Sequence, residues 1–166
     1  MKLRIERISK TNLRAAHTIY NYWIINSYSN FEEKKITFRD FCKNYKNIIE
    51  NKLPYLVALY EEKVVGIAYL NKFRDKSGYR FAFENTIYVH NEHINQSIGS
   101  KLLKELINIS KKNKNIKIIV AVISSVDSEG SIKIHKKLGF KKSGILKKIG
   151  FKNNKWIDSI FLQKNV

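Results

Sequence analysis

A single cysteine, Cys42, leaves no partner for an intrachain disulfide, so a disulfide-stapled fold is excluded and a reducing compartment fits. Histidine is scarce as well, with 4 in 166 residues, and no Cys or Asp cluster has ligand spacing, which argues against a metal site. Long apolar runs are missing: none approaches the length that spans a bilayer, and the opening MKLRIERI interleaves charge with apolar residues where a signal core would be continuous. These absences lead to the expectation of a soluble cytoplasmic protein with no membrane partner. Acidic residues are few, 14 against 32 Lys and Arg, giving a formal net charge of +18. Such an excess raises nucleic acid or an acidic ligand as a partner. The basic residues are nevertheless scattered among isoleucines and asparagines, a usage that reads as compositional bias. The densest run, Lys111 to Lys117, falls at a helix end, where cations complement the dipole.

What the chain has is core. With 43% hydrophobic residues and 12% aromatics, 166 residues suffice for one domain with a substantial interior, and no linker, repeat or low-complexity segment divides residues 1–166.

Lys2 to Ile8 alternates as a strand does, and Thr11 or Asn12 can cap a helix whose apolar face includes Leu13, Ala16, Ile19, Tyr20 and Trp23. Ser27 to Lys35 breaks the periodicity as a loop, after which Phe38, Phe41, Cys42, Tyr45 and Ile48 outline a second helix that packs the lone thiol inward. Pro54 to Tyr60 and Lys63 to Lys72 form a hairpin about Glu61 and Glu62, and Arg80 to His90 continues the meander. A helix over Ile98 to Lys112 follows, then the apolar run Ile116 to Ser124, expected at the centre of the sheet. Ser128 to Leu138 is a helix closed by Gly139, and strands at Phe140 to Phe151 and Lys155 to Gln163 end the chain. The expectation is a mixed α/β fold, β-α-α-β-β-β-α-β-α-β-β.

The stretch Glu84 to Leu103 is where this order turns to chemistry. A strand runs through the polar turn HNEHINQSIGS into a helix, placing Gln96, Ser97, Ile98, Gly99 and Ser100 at or near the first helical turn. The N–H groups there have no intrahelical partner and carry the positive end of the dipole, so they can hold a phosphate. Ordinary α/β connections share the pattern.

ENTIYVH followed by IGSKLL resembles the acetyl-CoA motif of the GNAT N-acetyltransferases, and more narrowly the phosphinothricin and methionine-sulfone acetyltransferase branch. The similarity continues through FRDKSGYRFAFENTIYVH, SIKIHKKLGF and IGFKNNKWIDSIFLQ, reaches back to IYNYWIINSYSNFE, and covers nearly the whole chain. It implies a mostly antiparallel sheet flanked by helices, acetyl-CoA as co-substrate, a small-molecule amine as acceptor and a homodimer.

Residue by residue, the resemblance makes Glu84 the general base, directly or through a water, and puts His135 near the cleft. His135 stays open between an acid/base or positioning role and a hydrogen-bonded structural one. The backbone of Ile87, Tyr88 and Val89 pairs with the pantetheine arm, and Ile94, Asn95, Gln96, Ser97, Ile98, Gly99 and Ser100 form the pyrophosphate loop. Of the loop pattern, Arg or Gln, two residues, Gly, one residue, Gly or Ala, only Gly99 fits. Ser128 replaces the usual asparagine near the pantetheine, whereas Ser131 agrees. Phe31, Glu32, Arg74, Tyr79 and Arg80 resemble the acceptor pocket, in which an arginine grips a carboxylate; Ala82 stands where threonine is common. Lys152 and Trp156 line the cleft or stabilise the last hairpin. The loop departures keep a catalytically impaired GNAT-fold binding module open as the alternative, with a basic nucleic-acid binder third.

Overall fold

The structure is a computed structural model that describes residues 3–166; the expected strand start at Lys2 lies outside the described residues. Among the described residues, seven strands form one sheet: β1 (Arg4–Arg7), β2 (Tyr55–Tyr60), β3 (Lys63–Lys72), β4 (Ala82–Val89), β5 (Ile118–Ser124), β6 (Lys141–Lys152) and β7 (Lys155–Asn165). Their spatial order is β1-β2-β3-β4-β5-β7-β6, and only β4 and β5 run parallel. The helices are α1 (Leu13–Asn26), α2 (Phe38–Glu50), α3 (Ile98–Lys111) and α4 (Glu129–Lys137).

Local chemistry sets these boundaries. Thr37 caps α2, its Oγ1 accepting from the Asp40 N–H at 3.1 Å, and Phe41 and Ile48 turn inward from one face. Asn12 precedes α1 but turns its side chain back, Oδ1 accepting from the Ser9 N–H at 3.0 Å. Glu61 and Glu62, at φ 50° and 62°, give the β2–β3 hairpin the left-handed turn that matches strand twist, without the usual asparagine and glycine.

α3 buries Ile98, Leu102, Leu103, Leu106 and Ile107, each stabilising the fold by roughly 1.5–3 kcal/mol. It seats this closely because Gly66 on β3 has no side chain: a Cβ there would lie 2.9 Å from Leu102 Cδ1 and 3.3 Å from the Tyr88 carbonyl. α1 covers the opposite face, Trp23 stacking on Tyr88 with ring centroids 6.4 Å apart and Tyr20 meeting Tyr88 edge-on.

The middle place in the sheet belongs to β4, one position from the β5 run expected there. A continuous apolar run reports that both faces are covered, as Ile119 and Ala121 are on one and Val120 and Ser124 on the other, and carries no count of strands on either side. β5 also starts two residues late, because the Lys117 and Ile118 N–H groups both turn to the Phe81 carbonyl, at 3.0 and 3.1 Å.

The parallel pair is short. It joins Ala82 to Ile118, Phe83 to Ile119 and Glu84 to Val120, then stops. β4 continues along β3 to Val89, and β5 continues along β7 to Ser124, so the two strands splay apart beyond Glu84.

Candidate active site

The splay leaves backbone groups without a strand to bond. Phe73 N–H donates to the Ala82 carbonyl at 3.2 Å and His90 N–H to the Val65 carbonyl at 2.8 Å, so alternate residues Ala82, Glu84, Thr86 and Tyr88 turn their backbone to β3. Ile87 and Val89 therefore turn theirs to the open edge. Trp23 Nε1–H takes the Val89 carbonyl at 2.7 Å, which leaves the Ile87 N–H and C=O and the Val89 N–H facing the cleft. The Tyr88 backbone, expected beside theirs, faces Ile67 across the β3 ladder, and Tyr88 is still among the residues that line the cleft.

A cavity of about 130 Å³ fills the mouth of the splay. Glu84, Asn85, Ile87 and Tyr88 form one wall, β5 from Ala121 to Ser124 another, and Ser128, Ser131 and His135 close it. Burial pushes the half-buried Glu84 carboxyl above its ordinary range, while the nearby Arg74 cation draws it back down. A carboxylate poised this way accepts a proton more readily than an exposed one. Burial also raises the Tyr88 phenol, whose O–H donates to the Ser29 carbonyl at 3.4 Å.

His135, 4% exposed, is engaged at both ring nitrogens. Nδ1 lies 2.8 Å from the Ser131 carbonyl, which can only accept, so Nδ1 carries the proton. Nε2 lies 3.0 Å from Asn85 Nδ2. Burial lowers the ring's proton affinity, so Nε2 is the acceptor and Asn85 the donor. This geometry fits a positioning role better than proton transfer.

The turn into α3 keeps a glycine-like shape without glycine. Asn95 and Ser97 both adopt left-handed φ, 63° and 60°, and Ser97 is the residue before the first helical turn. The first N–H groups of α3, from Ile98 to Ser100, are free to meet an anion. Ile98 itself points into the core, and Ile94 is 49% exposed and offers no polar group. Gly99 packs against Ile87 and Val89 of β4 and Ile134 of α4, so the helix N-terminus sits beside the open edge.

The acceptor residues gather in part: Arg74, Tyr79 and Arg80 share a groove, and Phe31 and Glu32 lie elsewhere. Arg74 and Tyr79 line a groove of about 440 Å³ with Phe73, Val120, Gly144 and Phe161. Arg80 is absent from that groove but lines a second one of about 380 Å³ together with Arg74 and Tyr79, its guanidinium stacked on Phe81 at 4.5 Å and donating to the Ser77 carbonyl at 3.3 Å. Phe31 packs against Gly150, where any Cβ would collide with its ring, and the Glu32 N–H donates to Asn30 Oδ1 at 2.9 Å. Lys152 is buried, its Nζ donating to the Ile24 and Asn30 carbonyls at 2.6 Å each, so it pins this loop to the last hairpin. Trp156 is 59% exposed and packs on Phe151.

Asn85, Ser29 and Asp127 also line the cavity and were not singled out by sequence. Asn85 had a signal: it falls in register with Phe83 and Ile87, an amide at an inward position of an apolar alternation.

Comparison with known proteins agrees with this geometry. The profile of the acetyltransferase (GNAT) domain matches residues 5–161. Phosphinothricin N-acetyltransferase of Alcaligenes faecalis is 30% identical over 153 residues, 92% of this chain and 77% of that protein. The L-methionine sulfoximine/L-methionine sulfone acetyltransferase of Salmonella typhimurium is 28% identical over 164 residues, 97% of this chain and 93% of that one. A GNAT superfamily phosphinothricin acetyltransferase from Sinorhizobium meliloti, solved in complex with AcCoA, superposes with a TM-score of 0.94 at 32% identity, covering 100% of this chain and 89% of that chain. With a cleft opened at Glu84, a helix N-terminus beside it and the domain profile spanning nearly every residue, the chain belongs to the GNAT acetyltransferase family.

Proposed function

We propose that this chain is a single-domain, acetyl-CoA-dependent N-acetyltransferase whose acceptor is the amine of a small amino acid or analogue of the phosphinothricin or methionine-sulfone type. The observation that carries the reading is the end of the β4–β5 pairing at Glu84: it leaves the Ile87 N–H and C=O unpaired within three residues of a half-buried carboxylate.

The pyrophosphate of acetyl-CoA docks on the N–H groups of Ile98, Gly99 and Ser100, and the pantetheine arm runs along Ile87 and Val89, past Ser128 and Ser131. The amine enters from the groove of Arg74 and Tyr79, where the Arg74 guanidinium meets the acceptor carboxylate. Glu84 accepts the amine proton, directly or through a water. The nitrogen attacks the thioester carbonyl, the C–N bond forms, the C–S bond breaks, and the coenzyme leaves with its sulfur. Holding both reactants in one cleft makes the attack effectively unimolecular, and no covalent enzyme intermediate is required.

The reading extends to a cytoplasmic homodimer, supported by the apolar side chains Leu146, Ile149 and Trp156 that the terminal hairpin exposes. Light scattering on the purified chain tests it. The activity itself is tested by measuring thiol release from acetyl-CoA against a panel of amino acids, methionine sulfone and phosphinothricin; a wild-type chain that releases thiol with none of them overturns the proposal.

A further inference from the structure

Asn85 is 8% exposed, lines the cavity, and carries a polar atom that nothing satisfies: among the described residues, Oδ1 is one of two buried side-chain atoms without a hydrogen-bond partner. A buried acceptor left unpaired costs about 1–3 kcal/mol, so such an atom on a residue that borders a cavity calls for a donor from outside the chain. Its orientation is imposed. The Ser131 carbonyl takes the Nδ1 proton of His135, Nε2 then accepts, and Asn85 must give it Nδ2, which leaves Oδ1 as the only free branch of the amide. Phe140 packs edge-on against the imidazole at 4.9 Å and holds the ring in this plane.

The position selects the ligand chemistry. Strand alternation puts the Asn85 side chain on the same face of β4 as Ile87 and Val89, which meet Gly99 at the start of α3. Glu84 points to the other face. A ligand reaching from the α3 N-terminus toward Glu84 therefore passes Asn85 with its neutral middle portion. In an acyl-CoA that portion is the pantetheine arm, whose amides supply neutral N–H donors.

Resting on the acetyl-CoA reading above, we propose that Asn85 is a coenzyme-binding residue whose Oδ1 accepts a pantetheine amide N–H, and that His135 is the positioning residue that keeps this oxygen, and not the NH₂ group, presented to the cavity. The pair performs together the amide recognition that Ser128, shorter and single-pronged, does not offer from the opposite side.

The test is calorimetric binding of two probes, acetyl-CoA and adenosine 3′,5′-bisphosphate, the second keeping phosphates but lacking the arm. Asn85→Leu is expected to weaken acetyl-CoA about tenfold, the scale of one hydrogen bond, and to leave the bisphosphate unchanged. His135→Phe is expected to weaken acetyl-CoA severalfold, with the double variant no weaker than Asn85→Leu alone, a coupling that a merely structural histidine would not show. Should the leucine variant not fold, Asn85→Ala removes the same acceptor without adding bulk. ¹⁵N spectra of the wild-type His135 ring provide a measurement free of mutation, with the Nδ1–H tautomer expected. Equal acetyl-CoA affinity in wild type and Asn85 variants, equal loss of both probes, or an Nε2–H tautomer overturns the inference while leaving the acetyltransferase reading intact. A wild-type chain that binds no acetyl-CoA overturns both.

Discussion

Glu84 and His135 stand on opposite faces of β4: His135 is bonded to Asn85 at 3.0 Å, and Asn85 is the next residue after Glu84, so their side chains point to opposite sides of the strand. The two do not form an acid–base couple. Both border the same cavity, Glu84 within the field of the Arg74 cation and His135 tied to Asn85 and Ser131. In the proposed reaction proton acceptance is therefore assigned to Glu84.

Glu84→Gln is expected to lower kcat by about 10²- to 10⁴-fold with acetyl-CoA affinity nearly unchanged. Burial holds the folded-state carboxyl above its unfolded value, so the native state binds that proton more tightly. Stability then falls as pH rises from the unfolded toward the folded value, and the loss persists above it. The glutamine variant should thus unfold at a higher temperature than wild type at about pH 8 and at the same temperature below about pH 4. A variant less stable than wild type at the higher pH contradicts this.

The pH dependence of kcat/KM should show one enzyme ionisation, on the acid side and above the ordinary glutamate range, with activity rising as Glu84 loses its proton. His135, its affinity for a proton lowered by burial, stays neutral and adds no limb. Acceptors of different amine basicity separate the substrate's own ionisation. A limb that disappears in His135→Phe would assign the proton transfer to the histidine after all.

Arg74 and Arg80, alike in sequence, separate in effect. Arg74→Ala should raise KM for carboxylate-bearing acceptors by about tenfold or more, and much less for simple amines, since a charge-assisted contact contributes roughly 1.5–3 kcal/mol. Arg80→Ala, which removes a guanidinium already committed to Phe81 and the Ser77 carbonyl, should change KM less than threefold, on the order of a surface contact. Initial rates with methionine sulfone and with its decarboxylated amine distinguish them; equal effects of the two variants refute the assignment.

How much of this was legible in sequence follows from which physics decides it. Apolar periodicity is local, and Ile98, Leu102, Leu103, Leu106 and Ile107 announced α3 down to its buried face. The hairpin, Gly139 at φ 86° and the element order were likewise written in neighbouring residues. What sequence left open depends on distant partners. The middle place of β4 follows from the last hairpin, β6 and β7, joining the sheet on the β5 side, so that three strands lie on each side of β4. The commitment of the Tyr88 backbone to β3 depends on register, and register is settled across strands. Lys152, read as lining the cleft or stabilising the last hairpin, does so through carbonyls of residues over 120 positions away, which no local pattern announces. Phe31 matches the family pattern, yet its contact with Gly150 keeps it out of both grooves that Arg74 lines, and Arg80 shares only the second of them.

The loop before α3 makes a further distinction. Replacing Ile94→Arg, Asn95→Gly, Gln96→Arg and Ser97→Gly together should tighten acetyl-CoA binding. Because Asn95 and Ser97 already hold left-handed φ, most of the gain should come from the two arginines, and the double Ile94→Arg, Gln96→Arg variant should reproduce it. If calorimetry places the gain in the glycines, the Cβ of Ser97 is what obstructs the phosphate.

Lys152→Met should destabilise the fold by about 1–3 kcal/mol, since the Ile24 and Asn30 carbonyls lose their donor in a buried setting. It should also raise the acceptor KM, because the loop it pins carries Ser29 into the cavity. Denaturant unfolding and initial rates check the two effects; unchanged stability contradicts the pinning.

The most direct test of the account is one assay in which acetylated amino acid and free coenzyme thiol are quantified together, for wild type and Glu84→Gln at the same acetyl-CoA saturation. The account predicts equal amounts of the two products in wild type with at least one small amino-acid acceptor, and a loss of both in the variant while coenzyme binding persists. A wild-type chain that binds acetyl-CoA saturably yet transfers nothing to any acceptor, or a glutamine variant as fast as wild type, would contradict it.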